Sequence, residues 1–372
     1  MIDFEREKLI NRNKKIIEII MKQIEMECPD SVDMIAIGGS FCNGDIYEKS
    51  DLDLVIIAND DKAKTLAKCF ILDDVGFDVY IQKWSSFENM AEYLNPYVTK
   101  LIDLDIVYTH DDSVLERYRS FQNRLKDNMN NDELIRRNIQ NYYSEMMLSC
   151  NKLNSISNNI GEAYRCLGNI VLNSEFIVYM FNNSYIKRGT KRIPEEVCSM
   201  EKLPVGFVDI YQDIYNCKNI NEIKEKANVL INCMKQFLLD NSIELIEKEE
   251  AKKEVEKSDI SANNLIGSYE EIYSNWKNKM IHAITIDSRY LSFVTMLSCQ
   301  GFYDEMYDMF NIPKIELIED YNPNDLVSNS IVFDNCMEKW LMLYKNFGID
   351  INYYSNLEEL ENLYNEDKSM SK

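Results

Sequence analysis

Three aspartates and a glycine turn carry the chemistry legible in this chain. Asp51 and Asp53 stand two residues apart in the run SDLDLVII from Ser50 to Ile57. Successive side chains of an extended chain point to opposite faces, so both carboxylates share one side while Leu52, Leu54 and Ile56 fill the other. Two neighbouring carboxylates repel, and one pKa is forced upward unless a cation resolves the conflict. Magnesium suits such a pair: it takes oxygen ligands, keeps several waters and commonly sits on one or two carboxylates together with a substrate's phosphates. A third acid lies in GFDVYIQK from Gly76 to Lys83, where Asp78, Tyr80 and Gln82 share a face and Phe77, Val79 and Ile81 look inward. If that strand neighbours the first, Asp78 joins the metal cluster.

Upstream, an apolar strand runs into Gly38-Gly39-Ser40. Without β-carbons, Gly38 and Gly39 let the backbone turn tightly and approach a ligand, and Ser40 adds a hydroxyl beside exposed N–H groups. Phosphate oxygens fit such a turn.

Gly39-Ser40, Gly44 and Ser50-Asp51-Leu52-Asp53-Leu54 together resemble the motif of nucleotidyltransferases with a DNA polymerase β-like palm. That motif is a Gly-Ser turn, an Asp-x-Asp strand and a later acid. Over residues 30 to 110 the chain is similar to the antibiotic nucleotidyltransferases, such as the kanamycin and streptomycin adenylyltransferases, in which a helical domain follows the palm. One departure stands out: the small relatives of toxin and antitoxin operons carry arginines after Gly-Ser, where Phe41, Cys42 and Asn43 stand here. The resemblance implies an α+β fold, a palm with a small mixed sheet and helices followed by mostly α-helical domains. It implies transfer of a nucleoside monophosphate, in the simplest case AMP from ATP, to a hydroxyl with release of pyrophosphate. Two Mg2+ ions on Asp51, Asp53 and Asp78 would serve the reaction, with ATP or another nucleoside triphosphate held by Gly38, Gly39 and Ser40.

Composition narrows the partners. The 372 residues hold 45% hydrophobic side chains, enough for a folded chain of two or three domains. The formal charge is −22. Residues 1 to 110 carry 12 Lys and Arg against 21 Asp and Glu, or −9, leaving −13 for the remainder. Neither part is basic, which weighs against tracking a long nucleic acid, whose affinity comes largely from neutralised phosphates. An acidic surface attracts cations, so a small cationic acceptor of the aminoglycoside type is expected. The ten cysteines are scattered without zinc spacing, the N-terminus is charged, and no apolar run is long enough for a membrane span. Reduced thiols and a cytoplasmic location are the expectation.

The elements that must position these residues follow from hydrophobic period. A helix is predicted over 4–27, strands over 33–38 and 52–58, a helix over 61–72, a strand over 76–83, a helix near 86–95 and a strand over 104–109. The first domain is thus expected at 1–111. Helices then dominate, near 112–128, 131–155, 160–182, 205–216 and 221–250, as a bundle domain at 112–250. The mixed-charge stretch from Glu244 to Asp259 reads as a solvated helix end or linker. A third, mostly helical, aromatic-rich part is expected at 260–366, with Tyr269, Trp276, Phe293 and Tyr303 in its core. The final six residues are expected to lack order.

The helical part must supply the rest of the site. Tyr185 to Arg192, YIKRGTKR, concentrates Lys187, Arg188, Lys191 and Arg192 in a Gly-broken loop, and such cations suit phosphoryl oxygens or a helix C-terminus. By resemblance to the antibiotic enzymes, Lys191 would reach the donor phosphates and Glu162 would act as general base; Asp78 is the alternative base. Transfer to RNA or protein, and a nucleotide sensor without catalysis, are the rival functions.

Overall fold

The computed structural model describes residues 3–47, 49–246 and 257–362. The fold is α+β, a mixed sheet followed by helices. Among the described residues, six strands, β1 (Val32–Ile37), β2 (Leu54–Ala58), β3 (Lys68–Leu72), β4 (Val75–Lys83), β5 (Asp105–Thr109) and β6 (Tyr353–Tyr354), lie in the order β5-β1-β2-β4-β3-β6. β1 pairs antiparallel with β2 and β5, β2 runs parallel to β4, and β3 pairs antiparallel with β4 and parallel with β6. β2 is central and buried at every residue, as its unbroken apolar sequence LVIIA requires.

The two faces of the sheet pack on different partners. Ile35, Leu54, Ile56, Phe70 and Phe77 meet Ile16, Ile20 and Ile24 of the helix Asp3–Glu27. Met34, Ala36, Val55 and Ile57 belong to a second core continuous with the later helices. Asp51 and Asp53 have the parity of Val55 and Ile57, so strand alternation aims both acids toward the helical side.

The stretch predicted as a helix over 61–72 is instead a short 3-10 turn, Lys62–Leu66, followed by β3. The cause is a hairpin. Asp73 and Asp74 both take positive φ, 50° and 58°, giving the two-residue turn whose twist suits antiparallel strands and returns the chain into β4. The strand predicted from residue 52 begins at Leu54.

Among the later helices, Ile160–Phe181 packs along Asp132–Ser155 and buries fifteen of its 22 residues. The parts before and after residue 260 share a core: the Tyr164 ring meets the rings of Phe293 and Tyr321, and Arg165 donates to Asp304 and Glu316. The Glu244 to Asp259 stretch lies largely outside the described residues, and the final six lie wholly outside them. No helix among the described residues is long and apolar enough to cross a membrane.

The last part returns to the sheet. The segment formed by the helix Ser268–Ile272, a π-helical turn Tyr273–Lys277 and the helix Asn278–Thr285 lies on β3 and β4. Gly76 of β4 makes this possible, because a β-carbon there would stand 2.5 Å from the Ser274 backbone. Glu270, fully buried, accepts from the Tyr344 hydroxyl at 3.0 Å and the Asn352 N–H at 2.7 Å, fastening the chain that leads into β6.

Candidate functional site

The glycine turn and the second acid are interlocked. Gly38 N–H donates to the Asp53 carbonyl at 2.9 Å, and Gly39 takes φ +63° where a β-carbon would fall 1.6 Å from Asp53 Oδ2. Any side chain at 39 would therefore displace the carboxylate. Gly39 and Ser40 open the short helix Gly39–Asn43, which Gly44 ends at φ 75°. Asp51, Asp53, Gly39 and Ser40 line one cavity of about 340 Å3, within the range of small-molecule sites. Gly38 stands behind this lining, tied to Asp53.

The acid pair is electrostatically strained. Burial first, and the charge of Asp53 second, push the Asp51 carboxyl up to about 7, while Lys279 and Arg12 pull it down. Arg12 is held by donating to the Ser50 carbonyl at 2.6 Å with its guanidinium over the Phe77 ring. A half-buried pair of neighbouring carboxylates favours a cation. Asp51 and Asp53 thus fit one magnesium ion, which needs only one or two carboxylates beside phosphate oxygens and water.

The third acid stands apart. The parallel register that sets Val55 opposite Tyr80 carries Asp53 level with Asp78, and Asp53 raises the Asp78 pKa, although burial is the larger cause. Yet Asp78 accepts from the Cys69 thiol at 3.2 Å and does not line the cavity. Among the described residues, no three His, Cys, Asp or Glu side chains gather closely enough to hold a metal. The expected three-ligand cluster is therefore corrected to a pair, because β3 supplies Asp78 with a partner of its own.

Glu162 and Lys191 stand differently toward this cavity. Glu162 sits in the first turn of its helix, where Lys152 pairs with it and Arg165 approaches to 4.0 Å; it is not part of the cavity. Its place is explained by the helix dipole and these cations. Lys191 does line the cavity, but its ammonium donates to the Asp45 carbonyl at 2.6 Å and meets the Asp45 carboxylate at 3.2 Å. Arg192 forks onto the same carboxylate at 2.8 Å through each of two nitrogens. Arg192 first, with Lys191, holds the Asp45 carboxyl down to about 2 against burial. The basic loop is a strap across the palm.

Residues with no sequence signal complete the cavity. Lys100, beside Thr99, places its ammonium 4.4 Å from the centre of the Tyr80 ring. From the C-terminal part come Asn278, Lys279 and His282. His282 stacks on Tyr47 at 4.4 Å, and Lys191 caps that tyrosine at 4.9 Å. Asn278 is 3% exposed, and its Oδ1 has no hydrogen-bond partner among the described residues. Among the described residues, Lys49, Lys100, Lys187, Arg188, Lys191 and Lys279 thus surround only two acids, Asp51 and Asp53. The lining suits an anion and lacks the carboxylates a polycationic acceptor needs.

No family model and no curated protein matches the sequence. Among solved structures, the chain is similar to a nucleotidyltransferase-like protein from Exiguobacterium sibiricum 255-15. The identity is 8%, over 57% of this chain and 70% of that one, with a TM-score of 0.36. So loose an overlap carries no inference about activity, and the functional reading rests on the side chains described above.

Proposed function

We propose that the protein is a nucleotidyltransferase that moves a nucleoside monophosphate, AMP from ATP in the simplest case, onto a hydroxyl. One observation carries this reading: an interlocked Gly39-Ser40 turn and Asp51/Asp53 pair face cations from three separate segments in one cavity. Phosphoryl transfer asks a protein chiefly for alignment and charge stabilisation, and this lining offers both. Ser40 and the turn would hold the donor's phosphates, with Lys100 and Lys279 offsetting their charge. Asp51 and Asp53 would hold Mg2+, which when bound supplies Lewis-acid polarisation of the transferred phosphoryl group. Asp78, close enough to feel Asp53, is better placed than Glu162 to take the acceptor's proton.

An aminoglycoside-type acceptor is supported by the resemblance and the acidic surface, not by the cavity lining. Incubation with α-labelled ATP, Mg2+ and an aminoglycoside panel, total RNA or protein extract tests the reading: label should move to one class with pyrophosphate released. No transfer to any class would overturn it. The sequestering of Asp78 by Cys69 favours a second reading, nucleotide binding without transfer, which ATP binding in the absence of pyrophosphate release would establish.

A further inference from the structure

Lys279 stands where nothing in the local sequence announces it. The contact of Gly76 with Ser274 seats the C-terminal segment on the sheet, and the first turn of its helix Asn278–Thr285 delivers the Lys279 ammonium into the cavity that holds Asp51 and Asp53. The ammonium feels both carboxylates, and Lys100 as a like charge. Among the described residues Lys279 forms no direct ion pair, unlike Lys191, which Asp45 engages. It is a desolvated cation facing two acids, beside the buried side chain of Asn278. A partly desolvated charge without a direct partner is costly, so the acids and the ammonium stabilise one another across the cavity.

We propose that Lys279 is a built-in cation for the Asp51/Asp53 pair, occupying the electrostatic role of a metal until a triphosphate draws its ammonium away. Metal and nucleotide then bind together, and neither binds well alone. This rests on the nucleotide-binding reading above. The physical basis is simple competition. A fixed positive charge beside two carboxylates weakens their attraction for a divalent ion, and a polyanion that attracts the lysine's flexible arm restores it. The C-terminal part thereby becomes the element that couples the two ligands, a thermodynamic linkage that must be reciprocal.

The test is a calorimetric titration of Mn2+ into nucleotide-free protein, comparing wild type with Lys279→Met and Lys279→Arg. Methionine keeps the stem's bulk without the charge, and arginine keeps the charge. We expect Lys279→Met to bind Mn2+ at least about tenfold more tightly than wild type, with Lys279→Arg remaining like wild type. In EDTA, a fluorescent ATP analogue should bind Lys279→Met at least about fivefold more weakly. A melting curve establishes folding, and Lys279→Gln replaces the methionine variant if that one unfolds. Equal or weaker Mn2+ binding by the neutral variant, or tightening by the arginine variant as well, overturns the proposal. Failure of the ATP analogue to bind wild type with Mn2+ present overturns the nucleotide reading instead, and the nucleotide-free Mn2+ titration distinguishes the two failures.

Discussion

The cavity has two sides of unlike origin. On the palm side, Asp51 and Asp53 sit within fifteen residues of the Gly39-Ser40 turn, which packs against Asp53, and the alternation of an extended chain aims both acids the same way. On the opposite side, Asn278, Lys279 and His282 arrive from more than two hundred residues away. Their segment lies on β3 and β4, and its tightest approach is between Gly76 and Ser274. The palm supplies negative charge through local geometry, and the C-terminal segment supplies positive charge through tertiary packing. Each side would be electrostatically unfavourable alone: the acids repel, and the Lys279 ammonium is partly stripped of solvent with no direct ion-pair partner among the described residues.

The largest effect should come from the palm side. Asp51→Asn keeps the shape of the side chain and removes one member of the pair. Nucleotidyl transfer should fall by roughly 100- to 1,000-fold, with the melting temperature unchanged or raised because a desolvated carboxyl is gone. Labelled-ATP transfer and calorimetry read the two quantities. Wild-type turnover would break the assignment of this side as the reacting one.

Gly76→Ala addresses the opposite side. Its added methyl would press on the Ser274 backbone, which cannot move as a flexible side chain would. Overpacking of this kind costs about 1–3 kcal/mol. Displacing the segment should also weaken ATP binding, because Lys279 moves with it. Denaturant melts and nucleotide titration measure both. A variant with reduced stability and unaltered ATP affinity would show that the C-terminal segment buttresses the sheet without forming a wall of the site.

This asymmetry explains what sequence reading reached. The acid pair, the glycine turn and the strands around them were legible because their logic is local: a period of two, a turn, a short separation. The hairpin was not, because Lys68 to Leu72 reads equally as one apolar face of a helix, and Asp73-Asp74 lacks the glycine that marks most such turns. Glu162 misled for a physical reason. A helix N-terminus favours a glutamate whatever its function, and its partners Lys152 and Arg165 come from the bundle. Lys279, in SNWKNKMIHAI, has no distinguishing spacing, and only the fold gives it its place.

Between the two sides lies the strap. Asp45→Asn should remove the charge that Lys191 and Arg192 share, costing about 1–2 kcal/mol given its partly exposed position. The pH dependence has a definite sign. With its folded pKa near 2, below the usual carboxylate value of about 4, Asp45 contributes stability that is fully present above pH ~4 and fades as pH falls toward 2. Acid titration of wild type and Asp45→Asn should therefore converge at low pH and separate near neutrality. Curves that run parallel from pH 2 to 7 would show that the strap contributes no net charge stabilisation.

The smallest expected effect sharpens the comparison most. Glu162 carries the same functional group as the palm acids, lies at a helix start and is surrounded by cations, yet its partners belong to the bundle: Lys152 directly, and Arg165, which also holds Asp304 and Glu316. Glu162→Gln removes a partly exposed ion pair, so stability should change by no more than about 1 kcal/mol. Transfer rate and ATP affinity should stay at wild-type values, since the residue does not border the cavity. A large loss of turnover with retained stability would mean that the acceptor reaches the bundle and that a second acid acts there. An unchanged rate excludes Glu162 as the base and leaves proton removal to groups nearer the cavity that Asp51 and Asp53 line.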